Sequence, residues 1–266
     1  MYSELLSTSK PGLIIILIDQ SGSMSDPYEN STKADFAALA VNRVIAEIIT
    51  ACTTGENIRD RCYIAAIGYA TTTNAIFLDK VSELAKNSDI DTVKKKVSDG
   101  AGGLVEVDEI IRLFVKPTAD GGTDMTGAFR EAYIGAEKFI SKFPNSFPPV
   151  VINITDGEPN DFESATVRAK KLSDLKTSDG NVILLNAHIA KATAGKIELP
   201  NSGTSFSSDK FASFLFDIST VLPEALANRA KDTGFNVQTN ARGFVFNADA
   251  EALIGILNFG SLGVLR

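Results

Sequence analysis

The chain has 266 residues, of which 44% are hydrophobic and 22% charged, proportions typical of a folded globular protein. It carries 26 lysines and arginines against 33 aspartates and glutamates, which gives a formal net charge of −7. This acidic balance argues against general binding to nucleic acid or to anionic membranes, because both require clustered basic residues.

Cysteine content and the amino-terminal sequence predict a cytoplasmic protein. Cys52 and Cys62 are too few for a disulfide framework in a chain of this length, and we expect free thiols. Residues 1–10 are polar and too short for a signal peptide. The apolar run Leu13–Ile18 is far shorter than a membrane span.

Strands and helices are predicted to alternate along the chain. The run Leu13–Ile18 is continuously apolar and rich in β-branched residues, which is typical of a strand buried on both faces. The further predicted elements, in chain order, are a helix over Thr32–Ala51, a hairpin of Cys62–Ala70 with Ala75–Leu78, a helix over Thr126–Phe143, a strand over Pro149–Ile154, a helix over Phe162–Lys176, a strand over Asn181–Ala187, a helix over Pro223–Lys231, a strand over Phe244–Phe246 and a helix over Asp249–Leu257.

Three segments have weaker patterns. Ser82–Gly103 is charged, and we expect a loop and a broken helix there. Thr193–Asp209 is rich in Gly, Ser and Thr, which indicates a long surface loop. Phe214–Ile218 fits either a helix or a strand.

The alternation predicts an α/β fold with a doubly wound, mostly parallel central sheet, helices on both faces and one antiparallel edge strand. We expect a single domain over 1–266, with a core at about 11–257. An irregular insertion is expected at about 81–120 and a long loop at about 193–209.

Three loops carry short oxygen-bearing side chains on glycine-containing backbone. Asp19–Ser23 follows the first strand, Asp120–Asp124 precedes the helix at Thr126, and Thr155–Glu158 follows a later buried strand. Sheets of this kind bind ligands outside the carboxyl ends of their strands, where these loops are expected. Their hard oxygen atoms favour Mg²⁺, Mn²⁺ or Ca²⁺ over zinc or copper.

The three loops together resemble the metal-ion-dependent adhesion site (MIDAS) of von Willebrand factor A (vWA) domains. The resemblance implies that Ser21, Ser23 and Thr123 supply hydroxyl oxygens to a divalent cation, and that Asp19 and Asp156 supply carboxylates directly or through water. The expected cation is Mg²⁺, or else Mn²⁺ or Ca²⁺. The resemblance further implies that an acidic residue of a partner protein takes the remaining coordination position, which is binding and not catalysis.

The resemblance extends over roughly 11–257, although 81–120 matches nothing compact. Leu215–Ser219 and Arg242–Asn247 resemble the corresponding segments of stand-alone bacterial vWA proteins. Some of those proteins accompany kinases and phosphatases, which implies a role in bacterial signalling or stress response.

Other residues near the loops have simpler interpretations beside a functional one. Asp26, Asp124 and Glu158 could form a rim that repels acidic surfaces of the wrong geometry, or could be ordinary solvated acids. His188 is expected to be structural. The glycine-rich run Gly100–Gly103 is expected to be a flexible loop, because no Gly-Lys-Ser/Thr follows it.

Two alternatives to a binding module remain open. An aspartate after a buried strand also opens Mg²⁺-dependent phosphohydrolases of the dehalogenase type, but those enzymes have a second aspartate where this chain has Ser21. No lysine stands in an obvious loop to neutralise a phosphate, and a single histidine weakens general-base mechanisms. We therefore expect no enzyme. The other alternative is a structural subunit whose metal only stabilises the loops.

Overall fold

The structure is a computed structural model that describes residues 2–28, 30–98, 103–189 and 195–261. Its helices are α1 (Lys33–Ala51), α2 (Val81–Asn87), α3 (Met125–Lys142), α4 (Phe162–Asp174), α5 (Lys210–Ile218), α6 (Glu224–Asp232) and α7 (Ala250–Ser261). Its strands are β1 (Gly12–Asp19), β2 (Pro27–Tyr28), β3 (Ser31–Thr32), β4 (Thr53–Thr54), β5 (Asn57–Ile58), β6 (Cys62–Tyr69), β7 (Thr73–Lys80), β8 (Asp89–Ser98), β9 (Leu104–Leu113), β10 (Val150–Thr155), β11 (Lys176–Thr177), β12 (Gly180–Asn181), β13 (Ile183–His188), β14 (Ile197–Glu198) and β15 (Phe244–Phe246).

Seven strands form the central sheet in the order β14-β15-β13-β10-β1-β6-β7. The five inner strands pair in parallel, as expected when a helix connects one strand to the next. The predicted fold class, a mostly parallel α/β sheet flanked by helices, is confirmed.

Strand β1 lies inside the sheet and is buried on both faces, as its continuous apolar sequence predicts. Ile14, Ile16 and Ile18 pack in the core layer that contains α1, α6 and α7. Leu13, Ile15 and Leu17 pack in the opposite layer, with α3, α4 and α5. The sheet therefore carries helices on both faces.

The predicted antiparallel edge strand is present, and the structure adds a second one at the opposite edge of the sheet. Strand β7 pairs with β6 at one edge, as the predicted hairpin requires. At the other edge β14 pairs with β15, through Ile197 with Phe246 and Glu198 with Val245. Strand β14 has two residues inside the predicted loop 193–209, and so short a strand leaves no alternating pattern in the sequence.

The insertion at 81–120 is more regular than its sequence suggested. In place of a loop and broken helix it contains α2 and a two-stranded antiparallel hairpin, β8 with β9. The hairpin is a separate sheet, and Ile90 and Ile110 are 68% and 74% exposed. Ile111 is buried at 9% exposure, so the apolar residues of the hairpin divide between buried and exposed positions and do not mark one buried face.

The ambiguous segment Phe214–Ile218 belongs to helix α5, whose amino terminus is capped by Asp209. Within the part of loop 193–209 that the structure describes, a 3-10 turn over Thr204–Phe206 follows β14. Residues 99–102, most of the glycine-rich run, lie outside the described residues. Cys52 and Cys62 are buried free thiols, as predicted. None of the described helices is both long and apolar enough to cross a membrane.

A chain of polar side chains crosses the sheet inside the core. The Tyr69 hydroxyl donates to Asn153 Oδ1 at 2.7 Å, and Asn153 Nδ2 donates to Asn186 Oδ1 at 3.0 Å. Asn186 Nδ2 then donates to Ser219 Oγ at 2.8 Å. The four residues are buried, so each depends on these partners in place of water.

Candidate metal centre

Asp19 is the last residue of β1, and its carboxylate is 1% exposed with both oxygens hydrogen-bonded. The backbone N–H of Ser21 donates to Oδ1 at 2.8 Å. The hydroxyl of Thr155, at the end of β10, donates to Oδ2 at 2.6 Å. The carboxylate is thereby fixed at the carboxyl end of two adjacent parallel strands.

The loop after β1 is joined to the loop before α3 by backbone hydrogen bonds. Gly22 N–H donates to the Gly121 carbonyl at 3.0 Å, and Asp120 N–H donates to the Gln20 carbonyl at 2.7 Å. Gly121 has φ +78°, a conformation that favours glycine, and a Cβ there would collide with the Thr71 hydroxyl. These contacts hold the loop that carries Thr123 against the loop that carries Ser21.

Oxygen atoms from all three predicted loops converge beside Gly157. A Cβ added to that glycine would lie 3.3 Å from Thr123 Oγ1, 3.4 Å from Ser23 Oγ and 3.5 Å from Asp19 Oδ2. Ser21 joins the same cluster, since its hydroxyl lies 3.2 Å from that of Ser23. The absence of a side chain at residue 157 leaves the space between these oxygens open.

Asp156 completes the cluster and links it to a lysine. Asp156 Oδ1 accepts a hydrogen bond from the Ser23 hydroxyl at 2.7 Å. Asp156 Oδ2 accepts from Lys33 Nζ at 2.6 Å, and the same ammonium lies 3.1 Å from Asp26 Oδ2. Lys33 stands at the start of α1 and not in a loop, so its sequence position does not indicate that its side chain reaches the site.

Burial and charge set the protonation behaviour of this cluster. Burial raises the pKa of Asp19 to about 6, in part against the hydrogen bonds from Ser21 and Thr155, and nearby Asp156 raises it further. Burial alone would lower the pKa of Lys33, but its hydrogen bonds and charge interactions with Asp156 and Asp26 outweigh this and raise it. Near neutral pH Asp19 is thus mainly ionised and Lys33 is an ammonium.

These atoms fit a hard divalent cation in chemistry and in placement. Carboxylate and hydroxyl oxygens are the ligands that Mg²⁺ and Ca²⁺ prefer, and Asp19, Asp156, Ser21, Ser23 and Thr123 supply both kinds. Across the described ranges, no three His, Cys, Asp or Glu side chains gather as a metal-binding group. A cation here would therefore depend on two carboxylates with hydroxyls, as the sequence pattern predicts.

The three candidate rim residues have different surroundings. Asp124 caps α3, with Oδ1 accepting from Gly127 N–H at 2.9 Å and Oδ2 from the Thr73 hydroxyl at 3.2 Å. Asp26 faces Lys33, although 60% of its side chain is exposed. Glu158 is exposed beside the centre. Of the three, Glu158 is the one whose side chain makes no hydrogen bond or ion pair within the part of the chain that the structure describes.

Sequence reasoning missed three residues that support the site. Thr155 belongs to the recognised Thr-Asp-Gly motif, yet its bond to Asp19 follows from strand pairing and not from the motif itself. Asn160 accepts from Thr123 N–H and donates its own N–H to the Thr123 carbonyl, both at 3.2 Å. Lys33 is the third, and its place as the first residue of an amphipathic helix suggests an ordinary surface lysine.

His188 ends β13 and is structural in its surroundings. Its ring stacks on Phe246 with 5.0 Å between centroids and meets Phe211 edge-on. Burial lowers its pKa to about 4, so the ring is neutral at physiological pH. It is packed by aromatic contacts, and its buried Nδ1 has no hydrogen-bond partner among the residues that the structure describes.

No protein-family model matches the sequence, and no curated protein matches it. Among solved structures it is similar to the pilus adhesin SpaC of Lactobacillus rhamnosus GG, with a TM-score of 0.54 and 13% identity over 98% of this chain and 31% of SpaC. It is also similar to VWA2, the ArnB paralog of Sulfolobus acidocaldarius (TM-score 0.35, 17% identity, 70% of this chain, 36% of VWA2). A third similar structure is proximal thread matrix protein 1 of the mussel byssus with a zinc-occupied MIDAS motif (TM-score 0.37, 13% identity, 70% of this chain, 37% of that protein).

The chain spans about a third of the length of each of these proteins. Of the three, the likeness to SpaC is high enough to support a conclusion, and at 13% identity that conclusion is a shared fold.

Proposed function

We propose that the chain is a vWA-type protein-binding module that holds a divalent cation at Asp19, Ser21, Ser23, Thr123 and Asp156. The observation that carries this proposal is the convergence of oxygens from three separate loops on the open space beside Gly157. Loops this far apart in sequence have no reason to share hydroxyls and carboxylates at one point if each only caps a helix. The cation we propose is Mg²⁺, with Mn²⁺ and Ca²⁺ as alternatives of similar chemistry.

The chemistry that the cation would supply is attraction of a partner's carboxylate. With hydroxyls making up most of the donor set, two carboxylates and one ammonium leave a bound divalent cation incompletely neutralised. The protein's own part is to fix the donors, because Thr155 orients Asp19 and the Ser23 hydroxyl orients Asp156. A protein with an exposed aspartate or glutamate is the partner we propose, in a cytoplasmic bacterial signalling or stress system.

Cation binding is tested first, by calorimetric titration with Mg²⁺ and Mn²⁺. The test variant is Ser21→Ala/Ser23→Ala, whose two hydroxyls lie 3.2 Å apart in the cluster. A matched control is Ser7→Ala/Ser9→Ala, a second pair of hydroxyls two residues apart and 3.1 Å from each other, near the amino terminus. We expect binding to the wild type and to the control and at least about a tenfold weaker affinity in the test variant. A wild type that binds neither ion refutes the proposal.

Partner recognition is tested by affinity capture from a lysate of the source organism, with and without EDTA. We expect the partner to be lost with EDTA and with the Ser21→Ala/Ser23→Ala variant, but kept with the control variant. If the cation raises the melting temperature while the same proteins are captured in every condition, the structural-subunit alternative is correct.

A phosphohydrolase is the second candidate, because the structure brings the Lys33 ammonium to the aspartates. Two observations oppose it. Asp19, the residue that would attack phosphorus, is 1% exposed with both oxygens accepting hydrogen bonds. The Lys33 ammonium is already paired with two carboxylates. Turnover of an aryl phosphate with Mg²⁺ that disappears in Asp19→Asn would establish the enzyme in place of the binding module.

A further inference from the structure

Lys33 is the first residue of α1, and its ammonium lies between one carboxylate of the candidate metal centre and one of its rim. Its Nζ is 2.6 Å from Asp156 Oδ2 and 3.1 Å from Asp26 Oδ2. The Lys33 side chain is 9% exposed and that of Asp156 is 0% exposed, whereas that of Asp26 is 60% exposed. The stronger of the two ion pairs is therefore the buried one, which belongs to the centre itself.

Helix formation gives no reason for a lysine at this position. The amino terminus of a helix has a partial positive charge, which disfavours a cation in the first turn. Capping is already provided by the reciprocal hydrogen bonds of Thr32 and Asp35. A buried ammonium is also unfavourable unless it is paired. The carboxylates stabilise the lysine at this position, so its role lies in the metal centre and not in the helix.

The two oxygens of Asp156 have separate partners. Oδ1 accepts from the Ser23 hydroxyl and belongs to the hydroxyl cluster, whereas Oδ2 accepts from Lys33. Lys33 therefore pairs with the carboxylate from the side away from Ser23. The positive charge of Lys33 therefore acts on the hydroxyl cluster, while Asp156 Oδ1 stays bonded to the Ser23 hydroxyl.

The ammonium changes the charge balance of the centre. Asp26 is 60% exposed, so water largely screens its charge and it is left out of the balance. Of the buried groups, Asp19 and Asp156 contribute two negative charges and Lys33 one positive charge, so these three carry −1 in place of −2. A divalent cation would bring them to +1, whereas without the lysine they would be neutral. The ammonium thus opposes entry of the cation and leaves a loaded centre that attracts an anion.

Resting on the function proposed above, we propose that Lys33 is a specificity-determining residue that weakens cation binding and strengthens the subsequent capture of a carboxylate. The lysine keeps the centre cationic when loaded. A partner's aspartate or glutamate is then favoured electrostatically over a neutral side chain of the same shape.

The test uses Mn²⁺ as the cation and acetate as the carboxylate probe. Lys33→Met removes the charge and keeps most of the aliphatic stem, and Lys33→Gln removes the charge but keeps a hydrogen-bond donor should Lys33→Met not fold. The matched control is Lys196→Met, because Lys196 also bridges two carboxylates, Glu198 at 2.7 Å and Asp249 at 3.1 Å, neither of which belongs to the centre. Mn²⁺ affinity is measured by calorimetry, and acetate binding by paramagnetic broadening of its methyl resonance.

We expect the neutral Lys33 variants to bind Mn²⁺ about five- to tenfold more tightly than the wild type, and to broaden acetate at least about twofold less at equal Mn²⁺ occupancy. The control should behave as the wild type does. Equal or weaker Mn²⁺ binding in a folded neutral variant overturns the role of Lys33 and leaves the proposed function standing. A wild type that binds no Mn²⁺ overturns the proposed function, and the role of Lys33 with it.

Discussion

Replacing Asp19 by asparagine should stabilise the metal-free protein. Burial raises the pKa of Asp19 from 3.8 to about 6, so the folded protein holds this proton more tightly than the unfolded chain. Stability contributed by the protonated form is therefore present below about pH 4 and is lost as pH rises through about 6. This difference in pKa corresponds to a loss of about 3 kcal/mol in the free energy of unfolding once Asp19 is ionised. An uncharged asparagine does not cause this loss.

Asparagine can keep the hydrogen bonds of the site. Its oxygen can accept from Ser21 N–H as Asp19 Oδ1 does. Its amide nitrogen can donate to Thr155 Oγ1, whose hydroxyl then turns to the Gly157 carbonyl 3.1 Å away. The change in stability is thus dominated by the charge, and we expect a gain of up to about 3 kcal/mol at pH 7.5 that vanishes near pH 4.

Urea denaturation in EDTA, followed by circular dichroism from pH 4 to 7.5, measures this difference. Asp217→Asn, which neutralises an exposed carboxylate on α5, controls for the loss of one negative charge. Addition of Mg²⁺ at about 100 times its dissociation constant should then stabilise the wild type by about 2.7 kcal/mol and leave Asp19→Asn unchanged. The reasoning is refuted if Asp19→Asn gains no stability over the wild type as pH rises.

Three further predictions concern residues around the centre and in the core. Thr155→Val removes the 2.6 Å hydrogen bond to Asp19, and calorimetry at pH 7 should show Mg²⁺ binding about tenfold or more weaker; unchanged affinity would contradict this. His188→Gln removes a histidine whose pKa burial lowers to about 4, so the wild type should lose about 3 kcal/mol of stability relative to the variant as pH falls from 7 to 4. Equal pH slopes for the two proteins in urea denaturation would disprove that assignment. Asn186→Ala leaves the buried Asn153 amide group without its acceptor and Ser219 Oγ without its donor, and should cost about 2–5 kcal/mol in the same assay, whereas a cost below about 1 kcal/mol would mean that the core adapts.

The inner strands of the sheet can be predicted from the sequence because their residues are surrounded by the apolar core on both faces. Leu13–Ile18 is buried on both faces, so its whole length is apolar and the strand is evident from the sequence. The opposite holds for β8 and β9, whose hairpin leaves the apolar Ile90 and Ile110 exposed. Strand β14 has two residues and depends on pairing with β15 for its existence.

The residues of the candidate site also divide into those that the sequence predicts and one that it does not. Asp19, Ser23 and Thr123 are recognisable because short motifs place hydroxyls and carboxylates on turns that follow or precede regular elements. Lys33 is not recognisable, since its sequence neighbours describe a helix and its partner Asp156 is 123 residues away. The electrostatic balance of the centre depends on that long-range contact, which no local pattern encodes.

The geometry of the centre is a consequence of the register of the sheet. Strands β1 and β10 pair in parallel with Ile18 opposite Ile154, which places the next residues, Asp19 and Thr155, side by side at the strand ends. Their 2.6 Å hydrogen bond therefore needs the register that buries the two isoleucines. A slip of one residue would turn the apolar side chains of one strand to the other face, at a cost that the core would not tolerate. Selection for a packed core between these strands thus also fixes the first carboxylate of the centre, and the loops need only bring hydroxyls to it.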